Sequence, residues 1–172
     1  MQASTAAASQ PAREARVWEV LRTVPDPEIP VVSLVDLGIV RHVHVLAGGG
    51  IRVGLSPTYS GCPATDVIKS MVSKALREAG FEQVELTEVL SPAWTSDWIT
   101  ADGRNKLREY GITPPAESVA NPGRIWRAAP VITCPRCSSA ETHRISEFGS
   151  TPCKALYRCT RCLEPFDYFK CH

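Results

Sequence analysis

Ser56-Pro57-Thr58-Tyr59-Ser60-Gly61-Cys62-Pro63-Ala64 stands where a strand pattern stops and a helix pattern starts. Before it, Ile51, Val53 and Leu55 alternate with Arg52, Gly54 and Ser56, a period of two. After it, Val67, Ile68, Met71, Val72, Ala75, Leu76 and Ala79 share one helical stripe. Pro63 reads as the first helical residue, where its fixed φ fits and no backbone donor is lost, which makes Cys62 the expected N-cap. A sulfur there would face unpaired N–H groups and the positive end of the helix dipole, both of which favour the thiolate. Asp66, one turn in, opposes that effect by like-charge repulsion. The plainer alternative is a small buried hydrophobe that starts a helix.

Upstream, Val17, Val20, Leu21 and Val24 put an amphipathic helix over residues 11–24. Pro25, Pro27 and Pro30 end it and stiffen the loop that carries Asp26 and Glu28. Carboxylates so held serve as metal ligands, as general bases, or as caps of the next segment. Ile39 to Leu46 reads as a strand, with Val40 and Val43 on opposite faces. Ala47-Gly48-Gly49-Gly50 then turns it into the strand ending at Leu55. His42 and His44 lie on one face, the geometry of a metal pair or of a solvated strand face.

Downstream, Gly80 closes the helix and Gln83 to Leu90 makes a third strand. The order helix, strand, strand, helix, strand predicts a small α+β domain with helices on one face of a sheet. Trp94 and Trp98 follow, as core plugs or as walls of a site, and then a helix running to Tyr110 with Ile99, Leu107 and Tyr110 on its buried side. Residues 112–131 hold four prolines and no periodicity, the signature of a semi-rigid linker. The organisation expected is a leader at 1–11, an α+β domain at 12–111, that linker, and a cysteine-rich module at 132–172.

In that module Cys134-Pro135-Arg136-Cys137 and Cys159-Thr160-Arg161-Cys162 form two C-x2-C pairs. Each turns tightly enough for both sulfurs to face one ion, and two pairs complete a tetrahedral zinc site. A module this small buries too little apolar area to fold alone, so the metal holds it together. Cys153, Cys171 and His172 remain for an additional metal site, or as spare thiols and packing residues.

The chain of 172 residues carries a net charge of +1. From Arg124 onward there are 8 Lys/Arg against 4 Asp/Glu, a net of +4 that is mildly basic and well short of a nucleic-acid footprint by itself. No apolar run approaches the ~18 residues of a membrane span, and the first ten residues lack the pattern of a secretory signal. Seven cysteines without an export signal point to metal ligation rather than disulfides, and to the cytoplasm.

Asp26-Pro27-Glu28-Ile29-Pro30, Val35-Asp36-Leu37-Gly38-Ile39-Val40, Thr58-Tyr59-Ser60-Gly61-Cys62-Pro63 and Pro92-Ala93-Trp94 together resemble the iron–sulfur cluster assembly domain family, which includes the SufT-like proteins. With the ribbon appended, including Phe148-Gly149-Ser150-Thr151 and Glu164-Pro165-Phe166-Asp167, the likeness narrows to members tied to bacterial phenylacetate degradation, and it covers roughly residues 14 to 172. The resemblance implies a non-enzymatic factor that matures the iron–sulfur centre in the reductase component of phenylacetyl-CoA epoxidase. Cys62 matches the family's reactive cysteine, with Asp26, Glu28, Asp36 and Thr58 at motif positions around it. The implied cargo is transient iron or an iron–sulfur cluster, and the implied partners are epoxidase subunits and a second copy of the chain. Three other roles stay open. The chain could be a structural or regulatory epoxidase subunit that docks through its ribbon. A cysteine-nucleophile enzyme would need a base, yet His42, His44, His143 and His172 sit in no recognisable triad. A nucleic-acid-binding ribbon is the third.

Overall fold

The structure, a computed structural model, describes residues 9–59, 61–115 and 131–170. Helix α1 spans Gln10–Arg22, with proline in its first turn where the ring costs no hydrogen bond. Its buried residues Val17 and Leu21 are one turn apart and face the sheet. The chain then folds back through Pro25 to Ser33, where the Asp26 N–H donates to Val32 O and the Leu34 N–H donates to Val24 O. Val32 and Leu34 are fully buried there, so the proline-rich loop is part of the core.

Strands β1 (Val40–Val45) and β2 (Ile51–Leu55) form an antiparallel hairpin closed by Gly48 and Gly49, both at positive φ. A bulge between Val40 and His42 breaks the alternation expected from the sequence: Val40 and Val43 are both buried, because one extra residue shifts the pleat. His42 lies directly over Gly54, and a Cβ there would come within 2.1 Å of its ring. His42 and His44 stack at 4.9 Å at the half-buried to exposed face of the strand, the solvated-face alternative for this pair.

Helix α2 (Thr65–Glu78) crosses back over the sheet and leads to β3 (Val84–Glu88), which pairs parallel to β2. The sheet order is β1-β2-β3. Ile68, Val72 and Leu76 form the buried stripe of α2. Beyond it, a single 3-10 turn (Ser96–Trp98) precedes α3 (Ala101–Glu109), capped by Thr100 accepting from the Gly103 N–H. Tyr110, expected on the buried side, is 54% exposed: it is the C-cap of α3, still bonded to Lys106 O, and the buried side of the helix ends with Leu107.

The stretch expected to begin a linker begins instead as a strand. Ile112–Thr113 (β4) pairs parallel to β7 (Pro165–Phe169), and β7 pairs antiparallel to β6 (Lys154–Cys159), which pairs with β5 (Thr142–Ser146). Both side chains of β4 are buried, so the end of the first module contributes an edge to the sheet of the second. The rest of the expected linker from residue 116 to 130, and Cys171 and His172, lie outside the described residues. Cys153 and Phe169 join the main core cluster of the α+β domain, while Ile132, Ala155, Phe166 and Tyr168 form a small second core around the ribbon's cysteines. The ribbon is therefore seated on the α+β domain by its own side chains.

Candidate metal and cargo sites

Two sulfur-bearing sites are built on this frame. In the ribbon, the two knuckles bring Cys134, Cys137, Cys159 and Cys162 together with all four sulfurs within 4.8 Å of one another. Cys134 to Cys162 and Cys137 to Cys159 are each 3.6 Å. A tetrahedron with metal–sulfur bonds of about 2.3 Å has edges of about 3.8 Å, so the donor set fits a zinc ion. The Cys162 N–H donates to Cys159 Sγ at 3.5 Å and is the chief reason that this thiol is lowered to about 7. The positive φ of Ser138 and Leu163, one residue past each knuckle, turns the chain back behind the sulfurs. This is a closed cage.

The second site lies where the ribbon meets the α+β domain. A cavity of about 20 Å³ is lined by Asp26, Glu28 and Ile29 from the proline loop, by Thr58, Cys62, Thr65 and Ile68 from the segment entering α2, and by Cys153 and Phe169 from the ribbon. Cys62 is half-buried. It is not the N-cap expected from the sequence: the cap is Ala64, and Cys62 lies two residues before it. The Cys62 N–H donates to Tyr59 O, and the Thr65 N–H donates to Cys62 O. Those turns use up the residues before Thr65, so Pro63 precedes the helix instead of opening it. Gly61 at φ 80 makes the reversal possible.

Asp26 is 6% exposed, and its Oδ1 accepts from the N–H groups of Glu28 at 2.9 Å and Ile29 at 2.8 Å. Its carboxyl is nonetheless raised above its ordinary value, because burial outweighs those two bonds and the attraction of Lys154. It is both a cap of its own loop and a wall of the cavity. Cys153 is 5% exposed; its Sγ lies 3.0 Å from Thr151 Oγ1 and 3.9 Å from Glu28 Oε2. Burial, together with the charge of Glu28, pushes its thiol up. Tyr59 borders the same site, and its phenol is pushed up to about 12, first by burial and then by its hydrogen bond to Cys62 and the charges of Glu28 and Cys153.

Of the residues expected around Cys62, the structure thus brings Asp26, Glu28 and Thr58 to one cavity with it. Asp36 goes elsewhere. Its Oδ2 accepts from the Ser33 N–H and from Lys106 Nζ, each at 2.9 Å, and its backbone carbonyl accepts from Thr100. Burial pushes this carboxyl up, but the Ser33 and Lys106 bonds win and hold it below its ordinary value. Asp36 therefore ties the turn after the proline loop to α3. Trp94 is a core plug, its Nε1 donating to Leu37 O at 2.9 Å; Trp98 packs between Gly38 and the guanidinium of Arg41, which lies 3.4 Å above its ring.

Three residues at this junction escape the sequence reading: Tyr59, Lys154 and Phe169. Tyr59 sits inside the opening stretch, so only its role was illegible. Lys154 is 4% exposed and 3.7 Å from Asp167 Oδ2, a burial that its residue type argues against and that no spacing in the sequence signals.

Residues 14–89 match the family described as iron–sulfur cluster assembly protein, and residues 120–170 match the PaaD zinc β-ribbon domain. The chain is 51% identical over 155 residues to an Escherichia coli K12 protein provisionally named as a component of 1,2-phenylacetyl-CoA epoxidase, covering 90% of this chain and 91% of that one. It is 34% identical over 95 residues, 55% of this chain and 90% of the other, to a protein of Porphyromonas gingivalis named Fe-S protein maturation auxiliary factor. A crystal structure of a domain of unknown function from Bacillus anthracis superimposes with a TM-score of 0.53 at 28% identity, covering 57% of this chain and 93% of that chain. Among the described residues no helix is long and apolar enough to cross a membrane.

Proposed function

Because the chain belongs to the PaaD family, an iron–sulfur cluster assembly domain joined to a zinc ribbon, we propose that it is a non-catalytic maturation factor that holds iron or a cluster transiently on Cys62. The client in this reading is the reductase component of phenylacetyl-CoA epoxidase, and the chain works in the cytoplasm. The observation that carries it is the contrast between the two sulfur sites. A carrier needs a thiolate that binds and then lets go. Cys62 is half-buried at a cavity lined by carboxylates, whereas the four ribbon sulfurs make up a complete donor set for one ion. The ribbon's ion is then structural and the cargo binds at Cys62.

Metal and sulfide analysis of purified Cys62→Ala and Cys134→Ala, with maturation of the reductase as the second readout, tests this. Cys134→Ala is expected to lose the ribbon's metal and, with it, the ribbon fold, since a structural zinc contributes roughly 10–16 kcal/mol. Cys62→Ala is expected to keep both and leave the reductase without its iron–sulfur centre. A fully matured reductase in the Cys62→Ala background sinks the carrier role. The name of the E. coli relative favours a second reading, a stoichiometric epoxidase component docking through the ribbon. Maturation by substoichiometric amounts of the chain separates the two.

A further inference from the structure

We propose that the ion caged by the ribbon governs the Cys62 cavity: the β6–β7 hairpin that anchors one side of the cage also supplies a wall of the cavity, and that wall stands only while the cage is filled. This concerns the regulation of the site at which the carrier reading places the cargo, and rests on that reading for its functional consequence. Cys153, just before the first residue of β6, lines the cavity, and Cys159, the last residue of the same strand, is a cage ligand. Steps of roughly 3.3 Å per residue put the two about 20 Å apart along one strand. Across the hairpin, Lys154 pairs with Phe169, the other wall residue, and Arg158 pairs with Pro165 at the cage end. There the Cys159 N–H donates to Glu164 O at 2.9 Å.

The hairpin takes its shape from the cage. Cys134 and Cys159 are themselves members of the ribbon's small core, so the sulfurs are part of its packing, and a core of that size does not hold together without the ion. Strand β7 sends Phe166 and Tyr168 into that core and Phe169 into the core of the α+β domain. One strand therefore belongs to both cores, a rigid element with a seated and a lifted position. The seat is poised rather than strong. It buries Lys154, 4% exposed and 3.7 Å from Asp167 Oδ2, and Asp26, whose carboxyl burial has already raised above its ordinary value. Burying such groups costs free energy that lifting the hairpin returns through rehydration. On the α+β side, β4 contributes just two paired residues, Ile112 and Thr113. With the cage empty, the hairpin lifts and takes Cys153 and Phe169 away from Cys62.

The test follows the full chain by amide NMR, isotope-labelled and kept reduced, first zinc-loaded and then stripped with EDTA. Glu28, Cys62 and Ile68 line the cavity but lie outside the ribbon. Val45 and Gly49 lie at the opposite end of β2 from the cavity and serve as the reference. Stripping is expected to shift the first three amides, leave the reference pair in place, and reverse when zinc is added back. Unmoved cavity amides in a chain whose ribbon amides have collapsed overturn the proposal. Loss of the reference pair along with them overturns it as well, because the ion would then hold up the whole fold instead of one wall. Coupling of this kind is reciprocal, so Phe169→Ala, which loosens the wall and keeps every cage ligand, should yield its zinc to EDTA roughly tenfold more readily than wild type, while staying loaded in the absence of chelator. Equal competition in the two proteins refutes the coupling. Reductase maturation separates the two claims. If Cys62→Ala blocks maturation while the cavity amides ignore the zinc, this inference falls alone. If the amides respond as expected yet Cys62→Ala still matures the reductase, the carrier reading falls and the coupling stands.

Discussion

Phe169→Ala probes the seat on which the junction depends. The Phe169 backbone belongs to the last strand of the ribbon, but its ring is buried in the α+β core, 6.0 Å from Trp94 at an interplanar angle of 46°, and forms one wall of the cavity. Removing the ring forfeits roughly 1.5–3 kcal/mol of transfer free energy, about 0.5–1.5 kcal/mol from the aromatic pair, and leaves a void. Measured Phe→Ala changes in cores come to about 3–5 kcal/mol. At about 1.36 kcal/mol per decade, the balance between seated and unseated ribbon shifts by roughly two to four decades. Cys153, 5% exposed, is reached by an alkylating reagent only when the ribbon lifts. Its alkylation rate, followed peptide by peptide in zinc-loaded protein, is therefore expected to rise by two decades or more, with the ribbon's metal retained. An unchanged Cys153 rate would refute the idea that the ribbon is held by this ring. Loss of the ribbon's metal in the same variant would refute the separation of seat from cage.

Two glycines give a graded packing test. A Cβ on Gly38 would lie 2.6 Å from both the Cβ and the backbone O of Trp98, at a φ of 67, whereas on Gly54 its nearest neighbours would be ring atoms of His42, the far end of a side chain that can rotate. Denaturant midpoints should therefore fall further for Gly38→Ala than for Gly54→Ala, with the latter costing about 1–3 kcal/mol. Asp26→Asn keeps an acceptor for the Glu28 and Ile29 N–H groups and removes a buried charge. The folded carboxyl is raised, so the folding penalty is present above its folded value and gone below the unfolded value near 4; unfolding at pH 7 should show the variant to be more stable, with the gain vanishing in acid. Asp36→Asn behaves in the opposite sense. Its folded carboxyl is lowered, so its contribution is whole above the unfolded value near 4 and drains as pH falls through the folded value. That variant should lose roughly 1–3 kcal/mol at pH 7 and show a flatter acid limb in a pH series of unfolding curves.

Periodicity reveals local elements because its causes are local. The stripe Ile68, Val72, Leu76 and the alternation Ile51, Val53, Leu55 repeat at the spacings of a helix and a strand, and both elements are there. The errors sit where one extra residue or one turn decides the outcome. The bulge beside Val40 put two valines on the same face, and the turns at Tyr59 to Thr65 moved the helix start past Cys62. Likewise Asp36 carries the same side chain as Asp26, but Ser33 and Lys106 claim its carboxylate, and Lys106 arrives from a helix much later in the chain.

The sequence by itself determined the α+β order of the first module, the paired knuckles of the ribbon, and the presence of Cys62 on a turn between a strand and a helix. All three follow from residue types at short, fixed spacings. Only the tertiary structure decided that Cys153 belongs beside Glu28, 125 residues away along the chain, and that Asp36 does not belong there. Neither outcome is set by spacing: the first depends on Phe169 finding a buried place in a core it is not contiguous with, and the second on which cation reaches a carboxylate first in three dimensions.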